Sequence, residues 1–313
     1  MKKTILLMSI LASSLSFYSC QEEALETEPT EFISNPETKF KVNGLYTLMI
    51  KTGTGGSAAN LRHDDYGQKG YDVYTDLIES DVVMDGVTYG WYSALANYSG
   101  VLDNSTTENY RPWVYYYKMV YAANDIIDDY KEGQELTVDE RHYIGQAKGV
   151  RAYAYFYLLQ MYTKQYDASG DAIPLVTNTS MTVQPKSKQS DIYKLIVDDL
   201  KAAQTDLADF QRNNKARMNK DVATGLLAYT YAAMGEDALA ATEAAKIVNS
   251  AYPITSKQDV AYNPADLGSY GGFNNLASPS WLWGYDITSE NGLDLVSWWG
   301  QMDIFTYSYA SVG

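Results

Sequence analysis

The chain is poor in the residues that most often do chemistry. In 313 residues it has one cysteine, Cys20, and two histidines, His63 and His142. A lone thiol cannot close an internal disulfide, so the fold has to rest on its core. The histidines are too far apart in sequence for a short metal-binding motif. No GxSxG elbow, phosphate-binding glycine loop, EF-hand loop or catalytic thiol is present. Metal and nucleophilic catalysis therefore have no visible apparatus, and neither a cofactor nor a metal is expected. Basic charge is scarce too: 24 Lys and Arg stand against 39 Asp and Glu, a net charge of −15. That balance argues against nucleic acid, whose phosphates need a cationic surface, and equally against an anionic ligand. Phenylalanine is sparse, with 7 residues beside 29 Tyr and 6 Trp. Most of the aromatic pool thus carries a polar tip, which suits half-wet surfaces. With 46% apolar and 20% charged residues, the chain can bury enough surface to offset its ordering entropy, which excludes disorder as its main state.

Long apolar runs are missing as well, apart from one at the start. Lys2 and Lys3 precede the run Ile5 to Ala12, and Ser13-Ser14-Leu15-Ser16-Phe17-Tyr18 then leads to the small Ser19 and Cys20, the order of a bacterial secretory signal, with Phe17 and Tyr18 bulkier than is usual before such a cysteine. The run is too short to span a bilayer as a helix. Residues 1–19 read as a signal peptide and Cys20 as a lipidation site whose acylated thiol becomes the new N-terminus. The alternative is a signal-peptidase cut that leaves Cys20 incidental. A diacylated cysteine is a two-chain anchor, enough to hold a domain on a membrane. Residues 20–33, opening Gln21-Glu22-Glu23 and passing through Pro29, read as a solvated acidic tether.

Residues 34–313 read as one mainly helical domain. Phe40, Leu45, Leu48 and Met49 predict a first helix between Asn35 and Ile50. Residues 51–110 lose helical period and read as loop, with turns at Asp85-Gly86 and Tyr98-Ser99-Gly100. Pro112 is placed in the first turn of a helix whose stripe is Trp113, Tyr117, Val120, Asn124 and Ile127, with Gly133 as the stop. Thr137-Val138-Asp139-Glu140 fits a capping box opening a helix with Ile144, Ala147, Arg151, Tyr155, Leu158 and Tyr162 on its face. Ile173-Pro174-Leu175-Val176 predicts an extended crossing. Ser190 is the expected cap of a third long helix, with Ile192, Ile196, Leu200, Ala203 and Leu207 inward and Lys194, Asp198 and Lys201 in water. Tyr231, Gly235 and Ala240 have the register of a tetratricopeptide unit, large, small at the turn, and Ala at the close crossing. An ordinary Ala-rich hairpin remains the alternative. Trp281-Leu282-Trp283-Gly284-Tyr285 predicts a buried strand-like segment, with Trp281 and Trp283 as core.

Taken in order, Cys20, Asn43-Gly44-Leu45-Tyr46, residues 121–127, Ala147-Lys148-Gly149-Val150-Arg151-Ala152-Tyr153-Ala154-Tyr155-Phe156, residues 173–176, the 190–207 helix, the 222–250 hairpin and Trp281-Leu282-Trp283-Gly284 resemble the SusD/RagB family. The resemblance implies a tetratricopeptide-like helical-repeat scaffold with irregular loops and short strands. It also implies a surface lipoprotein of the outer membrane that sits over a SusC-like TonB-dependent transporter and captures a glycan or, in some members, a peptide. Members are longer, so the resemblance leads us to expect an incomplete C-terminal part and ligand site.

The chemistry that the residues permit is binding. A pyranose ring offers an apolar face that Trp or Tyr can cover and a hydroxyl rim that Asp, Asn, Gln or Arg can take. Asp85, Tyr89, Trp91, Tyr92, Asn97 and Tyr98 supply both kinds of group in one loop. The resemblance adds Trp298 and Trp299, from a region where members place ligand contacts. Trp91 and Tyr92 have a second reading, as a small core packed beneath the loop. Tyr115, Tyr116 and Tyr117 are expected to pack between helices, and Arg151 to pair across helices. The adjacent acids Asp128-Asp129 and Asp198-Asp199 read as solvated helix faces and His63-Asp64-Asp65 as a polar turn, so no carboxylate pair suited to a glycosidase stands out. The protein is expected not to be an enzyme. Its alternatives to glycan binding are a peptide-binding lid or a scaffold for protein partners, with glycoside hydrolysis ranked last.

Overall fold

The computed structural model describes residues 36–57, 65, 67–79, 82–83, 92–257, 276–287 and 311–312. Cys20, the signal and tether of residues 1–33, His63, Asp64, Asp85, Tyr89, Trp91, Trp298 and Trp299 lie outside the described residues. The chain from Thr38 on forms one compact unit, and every helix and strand described belongs to it.

Among the described residues there are nine helices and two short strand pairs. The helices are α1 (Thr38–Thr47), α2 (Gly67–Glu79), the single-turn α3 (Ser93–Ala96) and α4 (Ser99–Leu102), α5 (Thr107–Ile127), α6 (Val138–Tyr162), α7 (Gln189–Asp206), α8 (Lys220–Ala233) and α9 (Asp237–Val248). The strands are β1 (Val82–Val83), β2 (Asp171–Pro174), β3 (Lys186–Lys188) and β4 (Ser311–Val312), with β1 antiparallel to β4 and β2 antiparallel to β3. From α5 onward each helix packs on the next, and α1 lies against α5 and α6. This is a sequential helical-repeat stack, the mainly helical architecture expected. Among the described residues, no helix is long and apolar enough to cross a membrane.

Local signals set the boundaries best where they are self-contained. The Thr137 hydroxyl accepts from the Glu140 amide at 3.3 Å while the Glu140 carboxylate accepts from the Thr137 amide at 2.8 Å, so the capping box forms as the sequence predicts. Those hydrogen bonds hold the Glu140 carboxyl below its ordinary pKa. Gly235 turns α8 into α9 with φ of 75°, a conformation that L side chains rarely adopt. Tyr231 is buried on α8, and Ala240 packs on the core from α9.

Other boundaries move. Residues 67–79 form α2 rather than loop, burying Tyr71, Val73, Tyr74 and Leu77. Two glycines, at 67 and 70, and a tyrosine-led apolar face had hidden the period. Helix α5 opens at Thr107, so Pro112 sits inside it rather than in its first turn. Its missing N–H costs one helical bond. The Tyr162 hydroxyl bonds the neighbouring Asn109 carbonyl at 2.5 Å. Helix α7 starts at Gln189 with Lys188 at the cap position and no side-chain cap bond, so Ser190 does not cap it. On α1 the inward face is Val42, Leu45 and Tyr46, continued by Met49 in the turn that follows, and Phe40 is 49% exposed. Residues 281–285 form no strand and are only partly buried.

Tyrosine is a core residue here, a departure from the half-wet surface expected. Tyr71, Tyr115, Tyr116 and Tyr155 are fully buried. Each such ring contributes roughly 1.5–3 kcal/mol by leaving water, provided its hydroxyl finds a partner. The Tyr155 hydroxyl donates to the Val176 carbonyl at 2.9 Å and accepts from the Val176 amide at 2.7 Å. Tyr117 donates to the Pro174 carbonyl at 2.7 Å and Asn124 to the Val176 carbonyl at 3.0 Å. Thus α5 and α6 pin the crossing at residues 173–176. Arg151 completes the group with a bidentate pair to Asp199, at 2.8 and 2.9 Å, and a 2.7 Å bond to Asn124. The expected pairing of Arg151 across helices is present, whereas Asp199 is a buried partner and not a solvated face. Burial pulls the Arg151 guanidinium down, but the Asp199 bonds and charge carry it above its ordinary pKa, so it stays cationic. Burial raises the Asp199 carboxyl, which Arg151 holds back.

Candidate functional site

A cleft of about 540 Å³ opens where α2, the α3–α4 turns, the start of α5 and the end of α6 meet. Its wall from α2 carries Tyr74, Thr75, Ile78 and Glu79. Leu95 and Val101 come from the short helices, Glu108, Asn109 and Pro112 from α5, and Phe156, Tyr157, Gln160, Met161 and Tyr162 from α6. The last five share one end of α6 because residues 156–162 span two turns there. Rings, two carboxylates and two amides therefore face one concavity of a size that accepts a small ligand.

The rings are fixed from behind. Tyr157 stacks on Tyr116 with centroids 5.5 Å apart and 12° between planes, and Phe156 meets Tyr157 edge-on at 5.9 Å. Tyr162 stands edge-on to Trp113 at 5.1 Å. Burial, then the nearby Asp72 charge, pushes the Tyr157 hydroxyl up to about 12, and burial raises Tyr162 as well. Both remain neutral phenols over any physiological pH, able to donate and accept. Asn109 uses its amide to close the α4–α5 turn, donating to the Gly100 carbonyl at 2.5 Å and the Asp103 carbonyl at 2.7 Å. Gln160 is exposed and reaches the Tyr193 hydroxyl at 3.3 Å.

The predicted site residues divide. Tyr92 is buried, its ring edge-on to Tyr74 at 5.8 Å, so of its two readings the packing one describes it. Tyr98 is 42% exposed and donates to the Ile78 carbonyl at 3.3 Å. Asn97 is exposed and its side-chain Oδ1 accepts from the Ser99 amide and hydroxyl at 2.9 and 2.6 Å. Tyr92 and Tyr98 both hold positive φ, 58° and 61°, sparsely populated for a residue with a side chain. These two strained corners bend the loop so that Leu95 and Val101 face the cleft. Asp85, Tyr89, Trp91, Trp298 and Trp299 lie outside the described residues.

The sequence reading missed Glu79, Glu108, Phe156, Tyr157 and Gln160 as cleft residues. A polar residue four after Phe156 on an apolar helix was the one available signal. It also missed Asp65, read as part of a polar turn. Asp65 is fully buried and accepts from the Gly55 and Ser57 amides at 2.7 and 2.9 Å, the Ser57 hydroxyl at 2.6 Å and the Tyr71 hydroxyl at 2.9 Å. It ties the 53–57 turn to α2 and so steadies one cleft wall. Trp281 and Trp283, predicted as core, are half-buried. They line a second groove of about 580 Å³ with Leu226, Tyr229, Ile247 and Val248, while the Trp283 indole donates to the Ala216 carbonyl at 3.0 Å. Among the described residues, no three His, Cys, Asp or Glu side chains are placed to hold a metal ion.

The fold is thus a helical-repeat scaffold with an aromatic, amide-bearing cleft at one end of α6. A family model described as SusD-like, starch-binding and associating with the outer membrane matches residues 60–232, more than half of the chain, and the chain belongs to this family. A SusD-like protein of Bacteroides ovatus is 28% identical over 127 residues, covering 39% of this chain and 22% of that protein. A SusD-like carbohydrate binding protein of Bacteroides vulgatus superposes with a TM-score of 0.66 at 21% identity, over 81% of this chain and 51% of its own. A laminarin-binding SusD-like protein superposes with a TM-score of 0.51 at 20% identity, over 72% of this chain and 46% of its own. The chain spans about half the length of these two structures, which share its fold.

Proposed function

We propose that this protein is a non-catalytic carbohydrate-binding lipoprotein. Anchored through acyl chains on Cys20, it takes up an oligosaccharide in the α2–α6 cleft and passes it to a SusC-like TonB-dependent transporter of the outer membrane. The observation that carries the binding step is the composition of the cleft. Phe156 and Tyr157 offer ring faces for the C–H side of a sugar, while Glu79, Glu108 and Gln160 offer acceptors and a donor for its hydroxyl rim. The membership of a family described as starch-binding supports the same reading. Tyr98 reaches this wall through its bond to the Ile78 carbonyl, and Asp85, Tyr89, Trp91, Asn97, Trp298 and Trp299 remain candidates for extending it.

Calorimetry against a panel of neutral oligosaccharides should show binding without release of reducing ends. Phe156→Ala and the exposed Gln160→Ala should each weaken it by about 1 kcal/mol. Reducing-end release from a bound glycan would make the protein a hydrolase, and unchanged affinity in both variants would move the site elsewhere. For the anchor, Cys20→Ala should shift the protein from the membrane fraction to the soluble one, because neither acyl chain can then be attached. Unaltered fractionation would reject lipidation at this residue.

A scaffold role for protein partners has one observation in its favour. Helix α9 buries none of its residues, and Tyr229, Leu239 and Val248 are exposed along the α8–α9 hairpin.

A further inference from the structure

Several cationic residues of this acidic chain are matched to carboxylates, as Lys41 is to Asp125 and Asp129 and Arg141 to Asp209. In residues 211–217 three that are not so matched lie close together. Arg212, Lys215 and Arg217 fall within six residues, and among the described residues none meets a carboxylate. Arg212 bonds the Arg217 carbonyl at 2.9 Å and the Leu282 carbonyl at 2.5 Å, and Lys215 bonds the Ser278 carbonyl. Arg217 reaches the Val42 carbonyl at 3.4 Å and the Asn43 amide oxygen. Carbonyl oxygens satisfy donors but leave the charge in place. Burial, then the Arg212 cation, holds the Lys215 ammonium below its ordinary pKa.

Arg217 faces a pocket of about 340 Å³ between α1, α6 and this loop. Its walls combine three chemistries. The Arg217 guanidinium lies over the Tyr46 ring at 4.6 Å, which fixes the orientation of its donor fork, and Lys39, whose ammonium lies over one face of the Phe40 ring at 4.8 Å, also lines the pocket. Phe40 is 49% exposed and, with Tyr143, gives the pocket ring surface. Gln211 and Asn213 are exposed amides that no other described residue engages. Among the described residues, no acidic side chain lines the pocket. The nearby Asp209 is occupied by Arg141 at 2.8 Å and His142 at 2.9 Å.

We propose that this pocket is a second saccharide site, selective for a sugar that carries a carboxylate, a uronic acid. The guanidinium fork would take the carboxylate, the amides the hydroxyls and Phe40 the apolar ring face. The net charge of −15 repels acidic ligands at long range, so this site selects by contact and binds slowly. The inference rests on the carbohydrate-binding reading but uses none of the residues of the α2–α6 cleft.

The test is calorimetry on the full chain with digalacturonic acid, the neutral disaccharide of the same linkage, and inorganic phosphate. Digalacturonic acid should bind more weakly as salt rises. Arg217→Gln should reduce its affinity about tenfold or more, the loss of a charge-assisted bond. Because Arg217 also packs on Tyr46, the double variant Gln211→Glu/Asn213→Asp serves as the second measurement. Both positions are exposed, and the added carboxylates should abolish uronate binding with an unchanged melting curve. Neutral glycans should bind all three proteins alike. If digalacturonic acid fails to bind, or binds the double variant as well as the native chain, the uronate site is wrong. Neutral-glycan binding in the same samples would leave the carbohydrate reading standing, and its absence would reject both. Displacement of digalacturonic acid by equimolar phosphate would show a site for any oxyanion and overturn the saccharide assignment.

Discussion

Replacing Arg151 with alanine is expected to destabilise the protein by about 3–5 kcal/mol, the typical result of leaving one member of a buried ion pair behind. Both side chains are 6% exposed, so no water can take over the Asp199 carboxylate once the guanidinium is gone. The loss reaches further than one pair. Arg151 also holds the Asn124 amide oxygen at 2.7 Å and the Thr177 carbonyl at 3.1 Å, so α5, α6, α7 and the crossing segment all lose a contact at once. Urea denaturation should show a lowered midpoint and thermal melting a Tm lower by roughly 10 °C. Arg151→Lys keeps the charge but not the fork and should recover only part of the loss. The double variant Arg151→Met/Asp199→Leu removes both charges and should be more stable than Arg151→Ala, since the desolvation cost disappears with the pair. A double variant no better than the single one would mean that the hydrogen bonds to Asn124 and Thr177, not the buried charge, carry the effect.

That residue also shows what the sequence could and could not disclose. Arg151 among apolar neighbours is legible as a structural arginine because an unpaired guanidinium in a core is too costly to exist. Its partner was not legible. In Asp198-Asp199 the two acids point about 100° apart on a helix, so one can pair with Lys194 in water while the other enters the core, and the dipeptide does not say which. The capping box at Thr137 and the Gly235 turn were legible for the opposite reason, since both complete themselves within a few residues. Helix α2 was hidden because tyrosines count as core only once their hydroxyls have partners. The partner of Tyr71 is Asp65, which the sequence presents as part of a polar turn. The cleft was least legible. Its walls come from residues 74–79, 95–101, 108–112 and 156–162, and only the packing of α2 and α5 on the end of α6 brings them together. Loop residues rich in Trp and Tyr drew attention to one neighbourhood of that site. The ring surface it offers comes instead from a helix read as core.

Gly55→Ala is expected to be the second severe lesion, although it adds a single methyl group. A Cβ at this position would stand 1.9 Å from the Tyr71 hydroxyl, 2.8 Å from an Asp65 carboxylate oxygen and 3.0 Å from the Arg111 Cβ. None of these can step aside cheaply. Tyr71 is fully buried, with Tyr74, Tyr115 and Tyr116 at centroid distances of 5.4, 4.7 and 6.2 Å, and its hydroxyl is committed to Asp65. The 53–57 turn must therefore lift away and take the Gly55 and Ser57 amides off a buried carboxylate. Overpacking of this kind costs about 1–3 kcal/mol, and each charged hydrogen bond lost adds roughly 1.5–3 kcal/mol, so with two such bonds lost a total of about 4 kcal/mol or more is expected. The turn and α2 share Asp65, so glycan affinity at the cleft should fall along with the melting temperature. Tyr71→Phe removes the oxygen that the methyl group would strike. Combined with Gly55→Ala it should therefore be more stable than the glycine variant alone, even though Tyr71→Phe by itself gives up a bond to Asp65. A double-mutant cycle reads this directly as a favourable coupling. Strict additivity would place the strain in the turn backbone instead of the contact with Tyr71.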